Sequence, residues 1–327
     1  MRLLTALPCA VALALLGMSI ATGAAAQGAW PSKPIRFIVP FPPGGSADVM
    51  GRIIATELSK SLSQQFIIEN RSGGGGTIGV AAGLKSPPDG YTVFLGASGA
   101  MAISPTLVPD LPYDPTRDMA PVSKLAMAPL ALVVPASSPM RSVRDLIATA
   151  KAKPGSLSYG SAGNGTTQHL AGELLKQMAG IDMTHIPYKG SVPAVTDTLA
   201  GQVPLAIVDL TSALAHIRSG KLRALGTAGG KRTAIAPDIA ALAEGGLPGF
   251  DVTSTFIMGA PAGVPRDIIT RLNAATVRVL AIPEVRERIL ASGLEAISST
   301  PEELGAFVRD EIAKWAKVIK ASGIKAD

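Results

Sequence analysis

From Ile35 onward, short apolar runs alternate with segments whose apolar residues recur every three or four positions. IRFIVPF (Ile35 to Phe41) is an apolar run bounded by prolines and predicts a buried strand. The next segment, SADVMGRIIATELSKSL, sets Val49, Ile53, Leu58 and Leu62 near one face of a helix, with Ser46 as its N-cap. Strands are expected at 66–69, 91–97 and 130–135. A helix is expected over 142–152, a strand over 157–161 and a helix over 166–180. THIPY, PLAIVD and LRALGTA read as three more strands, separated by helical segments around Ala194 to Leu199 and Ser212 to Arg218. STFIMGAP (254–261) is the last clear strand, and three helices with proline near their starts follow it.

This alternation predicts an α/β fold with mostly parallel sheets. No short repeat is visible, which excludes solenoids and propellers. The length favours two lobes, with crossings near Val134-Pro135 and Thr255-Phe256. The first lobe would then be discontinuous, 27–134 plus 256–327, and the second would be 135–255.

One apolar stretch breaks the pattern. Arg2 precedes LLTALPCAVALALLGMSI and the small-residue run ATGAAAQ. A basic start, an apolar core and an A-x-A site predict a signal peptide over 1–26, cleaved after Ala26. Cys9, the single cysteine, leaves with it. Export without cysteines points to a bacterial periplasm. Losing Arg2 lowers the formal charge from +6 to about +5. No basic block stands out and aromatic residues are few, which excludes nucleic-acid binding. A mild positive balance suits an anionic ligand.

The candidate chemistry lies in glycine-rich stretches. PFPPGGSAD (Pro40 to Asp48) links a strand to a helix. Its glycines permit close approach to a ligand, and the helix start offers unpaired N–H groups, so the stretch reads as an anion site. YGSAGNGTTQH (Tyr159 to His169) has the same placement, with hydroxyls at Ser161, Thr166 and Thr167. It has neither the G-x-G-x-x-G order of a dinucleotide site nor the lysine of a P-loop. Two such loops from two lobes would close on one anion from opposite sides. NRSGGGGTIG (Asn70 to Gly79) reads as a mobile surface loop, with a cleft role as the alternative. GASGAMAISP (Gly96 to Pro105) puts Ser98 at a strand end, where ligands sit in open α/β sheets. Lys189, beside Tyr188 in IPYKG, pairs with a ligand carboxylate or is a solvated lysine. Asp209 holds a ligand amine or hydroxyl, or caps the next helix. The three histidines, His169, His185 and His216, lack metal-ligand spacing, and no G-x-S-x-G elbow is present. Bulky residues at Gly45 or Gly165 are expected to abolish binding and leave the fold intact.

WPSKPIRFIVPFPPGGSAD, ENRSGGGGTIG, PDGYT, YGSAGNGTTQHLAGE, IPYKG and SGKLRALG occur in one order across the mature chain. In this the chain resembles the receptors of tripartite tricarboxylate transporters, also called the Bug family of extracytoplasmic solute-binding proteins. The resemblance implies a hinged, two-lobed periplasmic-binding-protein fold of type II, without enzymatic activity, metal or cofactor. It implies that Phe41, Gly44, Gly45, Ser46 and Asp48, with Ser161, Gly163, Gly165, Thr166, Thr167 and His169, clasp the carboxylate of a small organic acid. It further implies a monomer that delivers this ligand to a large and a small membrane subunit. Ser72 and Ser104 depart from residues common in the family, proline and asparagine. Two other roles stay open: a periplasmic sensor for a signalling partner, and a periplasmic enzyme of carboxylate metabolism. Citrate-like tricarboxylates, dicarboxylates, acidic amino acids and aromatic acids are all admitted as ligands, and an amino acid gains ground if Asp209 faces the cleft.

Overall fold

A computed structural model describes residues 30–322 of the chain, so the expected signal peptide lies outside the described residues. The chain divides after Ser32, and every element below belongs to the unit that starts at Lys33. In order these are β1 (Ile35–Val39), α1 (Ser46–Leu62), β2 (Phe66–Asn70), α2 (Thr77–Leu84), β3 (Thr92–Ala97), α3 (Ser104–Leu107), α4 (Pro115–Asp118) and β4 (Met119–Pro135). Then come α5 (Val143–Ala152), β5 (Ser158–Ser161), α6 (Thr167–Ala179), β6 (Thr184–Pro187), α7 (Ser191–Leu199), β7 (Leu205–Asp209), α8 (Leu210–Arg218) and β8 (Leu222–Thr227). The last are β9 (Thr253–Pro261), α9 (Arg266–Ala281), α10 (Pro283–Ala291), β10 (Glu295–Ala296) and α11 (Pro301–Ser322).

The strands run β2-β1-β3-β9-β4-β7-β5-β6, with β8 and β10 also paired to β4. The pairings of β1 with β2 and β3, and of β5 with β6 and β7, are parallel. Those of β4 and β9 are antiparallel, so the parallel arrangement expected from the alternation holds on the flanks and gives way in the middle. β4 is the reason. Its first part, Met119 to Pro129, is registered with β9, and its second part, Leu130 to Pro135, with β7 and β8. Only that second part was expected as a strand. The first reads MAPVSKLAMAP, and its prolines hide it: Pro121 sits beside a register shift, where a missing N–H is tolerated.

Strand period builds the packing. Leu130, Leu132 and Val134 face a core shared with Tyr159, Leu170, Leu205, Ile207, Trp315 and Ile319. Ala131 and Val133 face the other side, with Ala206, Val208 and Leu210. A third cluster joins Ile38, Val80, Phe94, Met101, Ile257, Leu304 and Val308. Helix α11 therefore enters two of these clusters, through Leu304 and Val308 near its start and Trp315 and Ile319 near its end. On α1 the buried face is Met50, Ile53, Ile54, Leu58 and Leu62. The N-cap of α1 is Gly45 rather than Ser46, and no side chain caps the helix.

Candidate functional site

Four helices start on the wall of one cavity. Gly45 and Ser46 open α1, Thr166 and Thr167 open α6, Gly190 and Ser191 open α7, and Asp209 precedes α8; all seven residues line the same space. Each helix follows a strand end, and each start presents N–H groups that the helix itself leaves unbonded. Three of the four, α1, α7 and α8, carry no side-chain cap on those groups.

The first loop is held from below by Asp48. Its carboxylate accepts from Gly44 N (2.9 Å), Arg52 Nε (2.8 Å) and Asn70 Nδ2 (2.9 Å). Asn70 Nδ2 also donates to the Phe41 carbonyl (2.9 Å). Burial pushes the Asp48 carboxyl up, but the bonds from Arg52, Gly44 and Asn70 outweigh it and hold the group below its ordinary value. Gly44 has φ +84, which suits glycine at this turn.

The second loop is braced by two imidazoles. Gly165 N donates to His169 Nδ1 (3.3 Å), and Ser161 Oγ pairs with His185 Nε2 (2.6 Å). The two rings stack with centroids 4.1 Å apart and planes 9° from parallel. Thr166 Oγ1 donates to Gly163 O (2.7 Å) and accepts from His169 N (3.2 Å), which caps α6. Thr167 Oγ1 is different: it is buried at the cavity wall and has no hydrogen-bond partner among the described residues.

Asp209 ties the loops together. It is 7% exposed. It accepts from Ser46 Oγ on α1, from Gln168 Nε2 on α6 (2.6 Å) and from Ser191 Oγ on α7 (3.2 Å). Burial pushes its carboxyl up, and these three donors offset only part of that. Among the described residues no lysine, arginine or histidine lines the cavity, whose remaining walls are largely apolar, with Phe41, Ala97, Ala162, Val192 and Phe256. The space is tight, a cavity of about 20 Å³, room for a water or two. An organic acid enters only if the walls separate.

The sequence candidates fall into three groups. Phe41, Gly45, Ser46, Thr166, Thr167 and Asp209 line the cavity. Gly44, Asp48, Ser98, Ser161, Gly163, Gly165 and His169 stand behind the lining and shape it; Ser98 Oγ, for instance, accepts from Thr255 N (3.0 Å) and so joins β3 to β9. Tyr188 and Lys189 lie outside it. The Tyr188 hydroxyl donates to Asp197 (2.8 Å) and Lys189 is exposed, because the strand end turns so that Gly190 and Ser191 reach the cavity instead. Burial, with Asp197 adding to it, pushes the Tyr188 hydroxyl up to about 12.

The expectation of a mobile loop at Asn70 to Gly79 needs correction. Gly75 is buried and lines the cavity, and a Cβ there would stand 2.1 Å from the Asn164 carbonyl. This loop packs backbone to backbone on the second loop. Gln168 and Ser191 were not singled out, yet both line the cavity and bond Asp209. The signal for Ser191 was present: Gly-Ser opens α7 at Gly190-Ser191 just as it opens α1 at Gly45-Ser46.

Residues 50–324 match the family model described as "Tripartite tricarboxylate transporter family receptor". Over 318 residues the chain is 40% identical to Protein BugT of Bordetella pertussis (strain Tohama I), covering 96% of this chain and 98% of that one. A solved structure of R. palustris Rpa4515 with adipate superposes with a TM-score of 0.88 at 37% identity, covering 90% of this chain and 99% of that one. MatC (Rpa3494) from Rhodopseudomonas palustris with bound malate gives 0.84 at 31% identity, over 89% of this chain and 100% of that one.

Proposed function

The chain belongs to the tripartite tricarboxylate transporter family of receptors, and from that premise we infer that it captures a small organic acid, with a dicarboxylate favoured, in the cavity described above. The observation that carries this reading is the convergence of four helix starts on a cavity without a basic side chain. Partial positive charge and free N–H groups are what a carboxylate needs, and helix N-termini supply both. The unpartnered Thr167 hydroxyl adds a donor at the same wall. The adipate and malate held by the two solved neighbours are both dicarboxylates, which supports the same class here.

Capture and release, rather than turnover, is the proposed role. Ser161 and His185 form a contact that looks like a nucleophile with its base, but Ser161 is fully buried, accepts from Gly163 N (3.0 Å) and lies outside the cavity lining. The two lobes are proposed to meet where β4 exchanges β9 for β7 and β8, between Pro129 and Leu130, and where β9 begins at Thr253. Parting there opens the cavity. Exported to the periplasm, the loaded receptor hands its ligand to the two membrane subunits of its transporter. No helix among the described residues is long and apolar enough to cross a membrane.

A thermal-shift panel of malate, adipate, citrate, glutamate, benzoate and uncharged sugars tests the assignment. An acid present at a hundred times its Kd should stabilise the protein by about 2.7 kcal/mol. A shift with sugars and none with any carboxylate sinks the reading. Chemical conversion of a bound acid would establish an enzyme in its place.

A further inference from the structure

Among the described residues, the one ionisable side chain lining the cavity is an acid, in a chamber whose proposed ligand is also an acid. Asp209 sits at the end of β7 with its carboxyl enclosed by Ser46, Gln168 and Ser191. The charged groups on the elements around it are turned elsewhere. On α1, Asp48 is paired to Arg52. On α6, His169 Nδ1 accepts from Gly165 N, and Glu173 is paired to Lys176. On α7, Asp197 accepts from Tyr188. On α8, His216 and Arg218 belong to the last turn, away from the end that meets the cavity. Lys189, before α7, is exposed. Opposite Asp209 on β4 stands Leu130. No cation among the described residues therefore compensates Asp209, and a carboxylate ligand would bring a second negative charge into the same small space. Two carboxyl groups so placed do not both stay ionised.

We propose that Asp209 is a proton-binding site coupled to anion capture: as the cavity closes over a carboxylate, Asp209 takes one proton from solvent, and it returns that proton when the cavity opens. This rests on the receptor reading above. The step is a simple protonation, with a carboxylate and a solvent proton becoming a neutral carboxyl. Its surroundings accept the change. Gln168 continues to donate to Oδ1, while a proton on Oδ2 is donated to a serine Oγ or to the ligand itself. The buried acid then becomes one more donor to the anion. Burial already drives the group toward its neutral form in the unliganded cavity.

Two measurements decide the proposal. The first needs no ligand: a carbon-13 titration of aspartate carboxyls, with Asp209 assigned through its absence in Asp209→Asn. The resonance is expected to titrate above the ordinary aspartate value of about 3.9. Titration at or below that value overturns the proposal. The second is calorimetry with malate and adipate in two buffers of unlike ionisation enthalpy at neutral pH. Wild type is expected to approach one proton taken up per ligand, with Kd weakening by up to roughly tenfold per pH unit once the free carboxyl is ionised. Whatever binding Asp209→Asn retains is expected to show neither the uptake nor that slope. Binding by wild type with no proton uptake overturns the coupling, whatever the variant does. If no carboxylate of the panel binds, the receptor reading fails, and the titration alone decides whether Asp209 is a proton site.

Discussion

Gly45 and Gly165 look alike in the sequence and differ in what a side chain would meet. Gly45 has an ordinary φ of −80, and a Cβ there lies 3.8 Å from the Pro42 carbonyl oxygen and 3.9 Å from Val192, which is ordinary contact. Gly45→Leu should fold with an unchanged melting temperature and lose carboxylate binding, as read by calorimetry. Gly165 has φ +70, and its Cβ would come within 2.9 Å of Ser104 Oγ. Gly165→Leu should therefore lower stability by about 1–2 kcal/mol in urea denaturation, from backbone strain alone. The two substitutions should therefore differ in stability, with the fold retained in both. Thr167→Val removes a buried hydroxyl that has no partner. Stability should hold or rise by up to about 1 kcal/mol, while affinity for a bound acid should fall about tenfold, the loss of a hydrogen bond to a charged group. Asp48 supplies a pH test. Its folded carboxyl titrates below its ordinary value, so the stability it contributes is present above about pH 4 and is lost as pH falls through the folded value. Asp48→Asn should cost about 1–3 kcal/mol at pH 7 and show a smaller acid-induced loss, measured as melting temperature against pH.

At the scale of elements, what the sequence revealed depended on whether one signal had one cause. The strand-loop-helix placement of PFPPGGSAD and YGSAGNGTTQH was readable because apolar runs, glycines and amphipathic segments agreed. The first part of β4 was not, since Pro121 and Pro129 break the pattern that a strand between two partners normally displays. Glycine density at Gly73 to Gly76 misled for another reason. The same composition serves a mobile loop and a loop pressed against another backbone, and only the neighbour distinguishes them. Here the neighbour is the second loop, separated from the first glycines by most of a lobe's sequence. Gly99 repeats the arrangement: a Cβ on it would stand 2.8 Å from Gly165 O. The second loop is thus seated between two others by the absence of side chains. Gly75→Ala should disturb that seat, lowering both the melting temperature and carboxylate affinity, whereas Gly44→Ala, with no atom within 4 Å of its Cβ, should show only the backbone cost of a positive φ.

Across the whole molecule, what periodicity shows least is the place of α11 in the packing. Its amphipathic repeat predicts a helix packed on something, but not that its start and end serve different cores. Leu304 and Val308 join Phe94 and Ile257, while Trp315 and Ile319 join Tyr159 and Leu170. In the proposed division, the two lobes are strapped by the C-terminal helix as well as crossed by β4 and β9. Trp315→Ala should cost about 3–5 kcal/mol by loss of a buried aromatic side chain. If the lobes move as proposed, denaturation of this variant monitored by far-ultraviolet dichroism and by tryptophan-free probes in each core should separate into two steps where wild type shows one.

The cavity without lysine or arginine has a consequence for how such a receptor can diversify. The grip proposed for an anion is made of main-chain groups and short hydroxyls at helix starts, which few point mutations can remove without disturbing a turn. The walls formed by Ala97, Ala162, Val192 and Phe256 carry no such duty. Enlarging or narrowing them would exchange the tail that follows the carboxylate and leave its attachment in place, so a new nutrient is reachable through side chains that the fold can spare.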